Sequence, residues 1–213
     1  MFTEKKLIAQ DVDECIFNSV DKHYLHYKKE AETREGIVVP SLEEVIRLGG
    51  THAFFGQFEW YAQMNKDNRN DEKFNRGQER IDGSLEALTL LESQLAVYLT
   101  TRPESLLRVT QEELDKYGYP DRQVICRPKE VNFKKTTEWK TWMLAQLAMQ
   151  FQAQMLMVDD SINLHQHLNH AKLNGSKGLL DTILYAGPMT PKGNGEMTWE
   201  EIVSLMMGKE FAA

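Results

Sequence analysis

Leu7-Ile8-Ala9-Gln10-Asp11-Val12-Asp13 decides how the rest of the chain is read: a short apolar run stops abruptly at an acid, and a second acid follows two positions on. Such a run reads as a buried strand whose carboxyl end carries Asp11. Similar runs recur at Leu95–Leu99, Gln123–Cys126, Met155–Val158 and Thr182–Ala186. Most are separated by stretches with helical periodicity. Ser84–Glu92 sets Leu85, Leu88 and Leu91 on one face, and Thr136–Gln150 holds Trp139, Met143 and Leu144 in register. Glu104–Tyr117, Asn163–Lys172 and Thr198–Met207 complete the helical set, the last after a loop rich in Gly and Pro. Strands alternating with helices predict an α/β fold, with a three-layer, Rossmann-like core built on a parallel sheet.

Residues 20–82 interrupt this rhythm. They hold charged and aromatic clusters, a helix over Ser41–Leu48 that stops at Gly49-Gly50, and the run Phe54-Phe55-Gly56-Gln57-Phe58-Glu59-Trp60. The segment reads as a small, mostly helical insertion, its clustered aromatics forming a core of its own. Residues 1–19 and 83–213 then make up the α/β core.

The chain's 213 residues suffice for one domain plus such an insertion. With 41% hydrophobic and 27% charged residues, the composition is that of a folded globular protein. A formal net charge of -7 argues against extended, sequence-blind wrapping of nucleic acid but leaves room for a local basic pocket. Cys15 and Cys126 are too few for a disulfide scaffold and read as reduced thiols. The polar Met1–Lys6 start and the lack of a membrane-length apolar run lead us to expect a cytoplasmic protein with no membrane partner.

Three strand ends carry chemistry: Asp11-Val12-Asp13, Thr100-Thr101-Arg102 and Asp159-Asp160. In parallel α/β sheets the carboxyl ends of the strands form the ligand crevice, so these residues converge. Two acidic pairs in one crevice call for a cation, and oxygen ligands favour Mg²⁺, which keeps sites free for water and phosphate oxygens. A carboxylate in line with a bound phosphorus can attack it, and a second carboxyl can move the proton. A hydroxyl and a lysine would complete the charge stabilisation that phosphoryl transfer needs.

The stretch Leu7–Cys15 resembles the first motif of the haloacid dehalogenase (HAD) superfamily, an apolar strand followed by Asp-x-Asp-x-Thr/Val. Val97–Pro103 is similar to its second motif and Met155–Asp160 to its fourth. Cys15 replaces the usual Thr or Val, a small residue that packs acceptably. The resemblance implies Asp11 as nucleophile and Asp13 as acid/base, with Thr100, beside Thr101, as the phosphate-binding hydroxyl. It implies Asp159 as the chief Mg²⁺ ligand, alongside Asp11 and the Asp13 main-chain carbonyl, with Asp160 as a candidate second acid. Three lysines compete for the third motif, and the spacing ahead of Asp159 favours Lys140 over Lys134 and Lys135. An insertion between the first and second motifs is, in this family, a cap over the site, which residues 20–82 fit. Dehalogenation needs no proton donor at Asp13, whereas phosphate ester cleavage gains from one, so a phosphohydrolase of a small phosphomonoester such as a nucleotide or sugar phosphate is expected.

Other readings weigh less. His165, His167 and His170 lie on a segment best read as a polar helix face. Arg102, Arg127-Pro128-Lys129 and Lys134-Lys135 form a candidate basic rim, and the Arg127-Pro128 turn with the Lys140 helix loosely resembles the phosphatase part of polynucleotide end-healing enzymes. A nucleic-acid end bearing a 3′-phosphate is therefore the alternative substrate, and a phospholigand-binding module without turnover the alternative function.

Overall fold

The fold is described from a computed structural model that covers residues 3–173, 179–188, 190, 193 and 195–208. The expected Gly- and Pro-rich loop before Thr198 and residues 209–213 of the expected core lie partly or wholly outside that set. Among the described residues seven strands form: β1 (Thr3–Gln10), β2 (Phe17–Asn18), β3 (Glu79–Arg80), β4 (Leu95–Pro103), β5 (Gln123–Arg127), β6 (Ala153–Asp159) and β7 (Leu180–Leu184). Five of them build one parallel sheet in the order β5-β4-β1-β6-β7, and β2 pairs antiparallel with β3.

Alternation along the central strand sets the layers. Ile8 of β1 faces one apolar layer while Leu7 and Ala9 face the other, as a two-residue period requires. The Ile8 layer is covered by α6 (Ser84–Leu90), α7 (Leu107–Tyr117) and α10 (Trp199–Met206), through Leu88, Leu114 and Ile202. The opposite layer is covered by α8 (Thr136–Phe151) and α9 (Ile162–Leu173), through Leu144, Leu147, Leu164 and Leu168. The result is the expected three-layer α/β core. Sequence signals mark several ends: Thr198 and Glu201 close a capping box at the start of α10. Gly118, at a φ of 78°, ends α7 in the left-handed region that only glycine adopts freely.

The insertion forms α1 (Val20–Glu35), α2 (Leu42–Arg47), α3 (Thr51–Phe55), α4 (Tyr61–Asn70) and α5 (Glu72–Asn75). Tyr24, Tyr27, Ala31, Val45, Phe55 and Tyr61 bury one another in a separate core, with Phe54, Phe58 and Trp60 packed against it. Its return to the α/β core is fastened by charge. Arg76 meets Glu112 at 2.6 Å and Arg108 meets Glu72 at 2.8 Å, and the Gly77 amide donates to Glu113 at 2.9 Å. The small β2–β3 pair, which the sequence reading did not include, holds the insertion's entry and exit side by side.

Strand order reverses at β1: the chain moves outward through β4 to β5, then crosses to β6 on the other side. The carboxyl ends of β1, β4 and β6 are therefore neighbours, and a crevice at such a switch point is where α/β sheets bind ligands. No described helix is long and apolar enough to cross a membrane.

Candidate active site

Asp11 follows β1 directly, fixed by its amide donating to the Val158 carbonyl of β6 at 3.0 Å. Its own Oδ1 accepts from the Val12 amide at 2.8 Å, which leaves Oδ2 facing Lys140 Nζ at 2.9 Å. The same ammonium meets Asp159 Oδ2 at 2.6 Å, while Asp159 Oδ1 accepts from the Ser161 amide at 2.8 Å. One buried lysine thus bridges the acids that end two adjacent strands. It reaches them because α8 runs back along the sheet ahead of β6, which puts its first turns level with the strands' carboxyl ends. Lys134 and Lys135 lie in an exposed 3₁₀ turn over Phe133–Lys135.

Carboxylate oxygens of Asp11, Asp159 and Asp160 lie within 4.8 Å of one another. Burial, joined by the neighbouring carboxylates, pushes the Asp11 carboxyl well above its ordinary value despite Lys140. Burial, Asp159 and Glu14 do the same to Asp160. Burial alone would lower the Lys140 ammonium, but Asp11 and Asp159 more than offset it and raise its pKa. Three carboxylates against one ammonium leave two formal negative charges, the charge of one divalent cation. The donors are all hard oxygens, so the residues fit Mg²⁺.

Asp13 points away from this cluster and into Arg102. The guanidinium meets Asp13 Oδ1 at 2.6 Å through Nη2 and approaches both oxygens at 3.1 Å through Nε. It also donates to Gln78 and to the Thr110 hydroxyl, and lies 5.7 Å from the Phe17 ring centroid. Burial pushes the Asp13 carboxyl up, but the Arg102 charge and hydrogen bonds outweigh it and hold the group below the usual carboxylate range. Thr100 is fully buried, its hydroxyl oxygen accepting the Arg102 amide at 3.2 Å, whereas Thr101 lines the crevice.

Beyond Asp13 the backbone turns sharply. Glu14 adopts a φ of 58°, and a Cβ on Gly187 would come within 2.5 Å of the Glu14 carbonyl oxygen, so only glycine fits there. The buried Glu14 carboxyl accepts from the Ser19 amide at 3.1 Å and from its hydroxyl. Burial lifts it to about 8, although the Ser19 bonds oppose this. Cys15 packs fully buried, with burial raising its thiol.

A cleft of about 530 Å³ opens over these residues, walled on the other side by His23, Tyr27, Asn65, Lys66 and Arg69 of the insertion. Sequence reasoning named none of these, nor Glu14 or Phe133. The spacing of Val20, Tyr24, Tyr27 and Ala31 signals a helix, but which side chains face the crevice follows only from how the insertion folds back. Of the candidate basic rim, Arg102 and Arg127 line the cleft and Lys134 and Lys135 do not. Phe54, Phe55, Phe58 and Trp60 stay in the insertion's core.

A cluster of buried acids around one lysine lies at the switch point of a parallel sheet; comparison with solved structures specifies the fold. A HAD-superfamily hydrolase of subfamily IA from Geobacter sulfurreducens matches at a TM-score of 0.58 and 19% identity, over 95% of this chain and 96% of that one. The putative HAD-hydrolase YfnB from Bacillus subtilis, determined bound to magnesium, matches at 0.57 and 16%, over 96% and 99%. A putative beta-phosphoglucomutase from Thermotoga maritima matches at 0.56 and 15%, over 96% and 99%. No family model matches the sequence, and no curated protein aligns with it. The chain has the HAD fold, as the strand-end motifs led us to expect.

Proposed function

We propose that this protein is a Mg²⁺-dependent phosphohydrolase that cleaves a small phosphomonoester through an aspartyl-phosphate on Asp11. The observation that carries the reading is Lys140 bridging Asp11 and Asp159 at 2.9 and 2.6 Å, a buried arrangement that holds a nucleophile, a cation ligand and a phosphate-neutralising ammonium together.

Asp11, Asp159 and Asp160, with the Asp13 carbonyl, would hold the metal. Bound there, Mg²⁺ would neutralise phosphoryl oxygens and orient the ester. An Asp11 oxygen attacks phosphorus, the bond to the ester oxygen breaks, and that oxygen leaves with a proton from Asp13. Asp13 then takes a proton from water, whose oxygen attacks the same phosphorus; the bond to Asp11 breaks, freeing phosphate and the carboxylate. A positioned acid/base of this kind is worth ~10²- to 10⁴-fold in rate. Thr101, which lines the cleft, binds the transferred group and Lys140 neutralises it, while the buried Thr100 supports the turn beneath them through the Arg102 amide. The insertion acts as a cap, excluding water and limiting substrate size.

The test is phosphate release from a broad phosphomonoester panel, with Mg²⁺ or chelator, comparing the native chain with Asp11→Asn. We expect metal-dependent turnover that the substitution abolishes. A well-folded native chain that hydrolyses no ester would sink the proposal.

A further inference from the structure

Facing the carboxylates, the cleft carries cations that the mechanism does not use. Lys66 and Arg69 stand one turn apart on α4, and Arg127 ends β5; all three line the cleft. Among the described residues, none of the three forms an ion pair with a carboxylate. Phe133 gathers the two arginines: their guanidinium carbons lie 4.2 Å (Arg69) and 5.9 Å (Arg127) from its ring centroid.

Both guanidiniums are held from behind. Arg69 Nε donates to Asn65 Oδ1 at 3.0 Å, an oxygen that also accepts from the Tyr27 hydroxyl at 2.9 Å. Arg127 Nε donates to the Thr101 carbonyl at 3.2 Å, and its Nη1 to the Val131 carbonyl. Each therefore keeps terminal N–H groups for a ligand. Two like charges drawn to one ring repel each other, and the Asp13 carboxylate that feels the Arg69 charge is already paired with Arg102: burial first, then the Arg69 charge, lowers the Arg127 pKa. A ring contact contributes little at an exposed site. That small gain does not explain two guanidiniums gathered on one ring with no ion pair of their own among the described residues, whereas an anion placed there would.

We propose that Arg69, Arg127 and Phe133 form a subsite for a second phosphate of the substrate, so that the cleft selects phosphomonoesters that carry another phosphate away from the reacting one. The proposal rests on the phosphohydrolase reading, since it assigns the first phosphate to Asp11 and Lys140. Guanidinium forks match phosphate oxygens pairwise, and a phosphate dianion balances two guanidiniums where a carboxylate balances one. A cleft of about 530 Å³ has room for a sugar or nucleoside between the two phosphates.

The experiment measures kcat/KM with Mg²⁺ for matched pairs: fructose 1,6-bisphosphate against fructose 6-phosphate, and adenosine 3′,5′-bisphosphate against adenosine 3′-monophosphate. 3-Phosphoglycerate supplies the carboxylate arm. The same compounds are titrated calorimetrically into Asp11→Asn, which reads binding without turnover. We expect at least one bisphosphate to be favoured by roughly tenfold or more, the value of charge-assisted hydrogen bonds. Arg69→Ala and Arg127→Ala should bring that ratio to about one by raising the bisphosphate KM, with Arg69→Lys retaining part of it. Arg69 is exposed, so its removal should leave folding intact, and Phe133→Leu supplies a second probe of the ring. Equal handling of both members of each pair, equal weakening of both by the variants, or an equal gain for 3-phosphoglycerate would each overturn the subsite. Should no ester turn over while Asp11→Asn still binds bisphosphates in an arginine-dependent way, the hydrolase reading falls and the subsite stands.

Discussion

Lys140→Met tests the centre of the site by thermodynamics alone. Lys140 is 3% exposed and lies between Asp11 and Asp159. Methionine keeps much of the volume and removes the ammonium that bridges them. Breaking a buried pair from one side costs about 3–5 kcal/mol, because a charge is left without a partner. Here the cost has a ceiling, since an orphaned carboxylate can take up a proton instead. Against an ordinary carboxyl value of 3.8, protonating one group at pH 7 costs about 4 kcal/mol, at 1.36 kcal/mol per pH unit. At pH 5 that protonation costs about 1.6 kcal/mol.

The sign follows from linkage. The native Lys140 pKa is raised above the ordinary 10.5, so its contribution is complete below that value and is lost only as pH rises through the folded pKa. Between pH 5 and 7 the native lysine stays charged, and any pH dependence of the difference comes from the carboxyls. Urea unfolding of both chains in chelator, with equal slopes, reads the difference directly. We expect a loss of about 3–4 kcal/mol at pH 7 that shrinks to about 1.5 kcal/mol at pH 5. A loss under about 1 kcal/mol, or one independent of pH, would refute the view that Lys140 neutralises these carboxylates.

Arg102→Ala should move the acidic limb of the pH–kcat/KM profile upward, because the guanidinium holds Asp13 below its usual range against burial; an unmoved limb would separate Asp13 from the proton transfer. Gly187→Ala should cost about 1–3 kcal/mol in urea unfolding, since the new Cβ meets the Glu14 carbonyl at 2.5 Å and backbone must shift. It should also depress turnover by displacing the Glu14 turn beside Asp13, and native-like stability would show that the turn yields freely.

The core was legible because buried parallel strands announce themselves as apolar runs. Met155–Val158 and Gln123–Cys126 sit inside β6 and β5 almost residue for residue. β1 begins earlier than its apolar run because Thr3 and Lys6 still pair with Ala153 and Gln154, and backbone pairing of polar residues leaves no hydropathy signal. β2 and β3, two residues each, carry no period at all. The strand-end acids were visible for the same reason as the strands. The partners of those acids were not: Arg102 reads as a surface charge in sequence, yet it is 4% exposed and committed to Asp13, Gln78 and Thr110. Its role depends on residues 24 and 89 positions away, a separation that spacing arguments do not span.

That guanidinium also shows how the insertion and the chemistry are joined. Gln78 lies on the strand of chain by which the insertion returns, just ahead of β3, and Tyr117 of α7 donates its hydroxyl to the Gln78 carbonyl at 2.9 Å. Thr110 stands on α7, which the Arg76–Glu112 and Arg108–Glu72 pairs fasten to α5. Arg102 therefore binds Asp13 through Nε and Nη2, shares Nη2 with Gln78 at the root of the insertion, and reaches Thr110 of α7 through Nη1. Any movement of that root changes the acceptors around Arg102, and through them how firmly Asp13 is held as a carboxylate. The sharp turn at Glu14, wedged against Gly187, keeps the backbone beside Asp13 fixed, so such a change would be taken up by the ion pair and not by the strand end that carries Asp11.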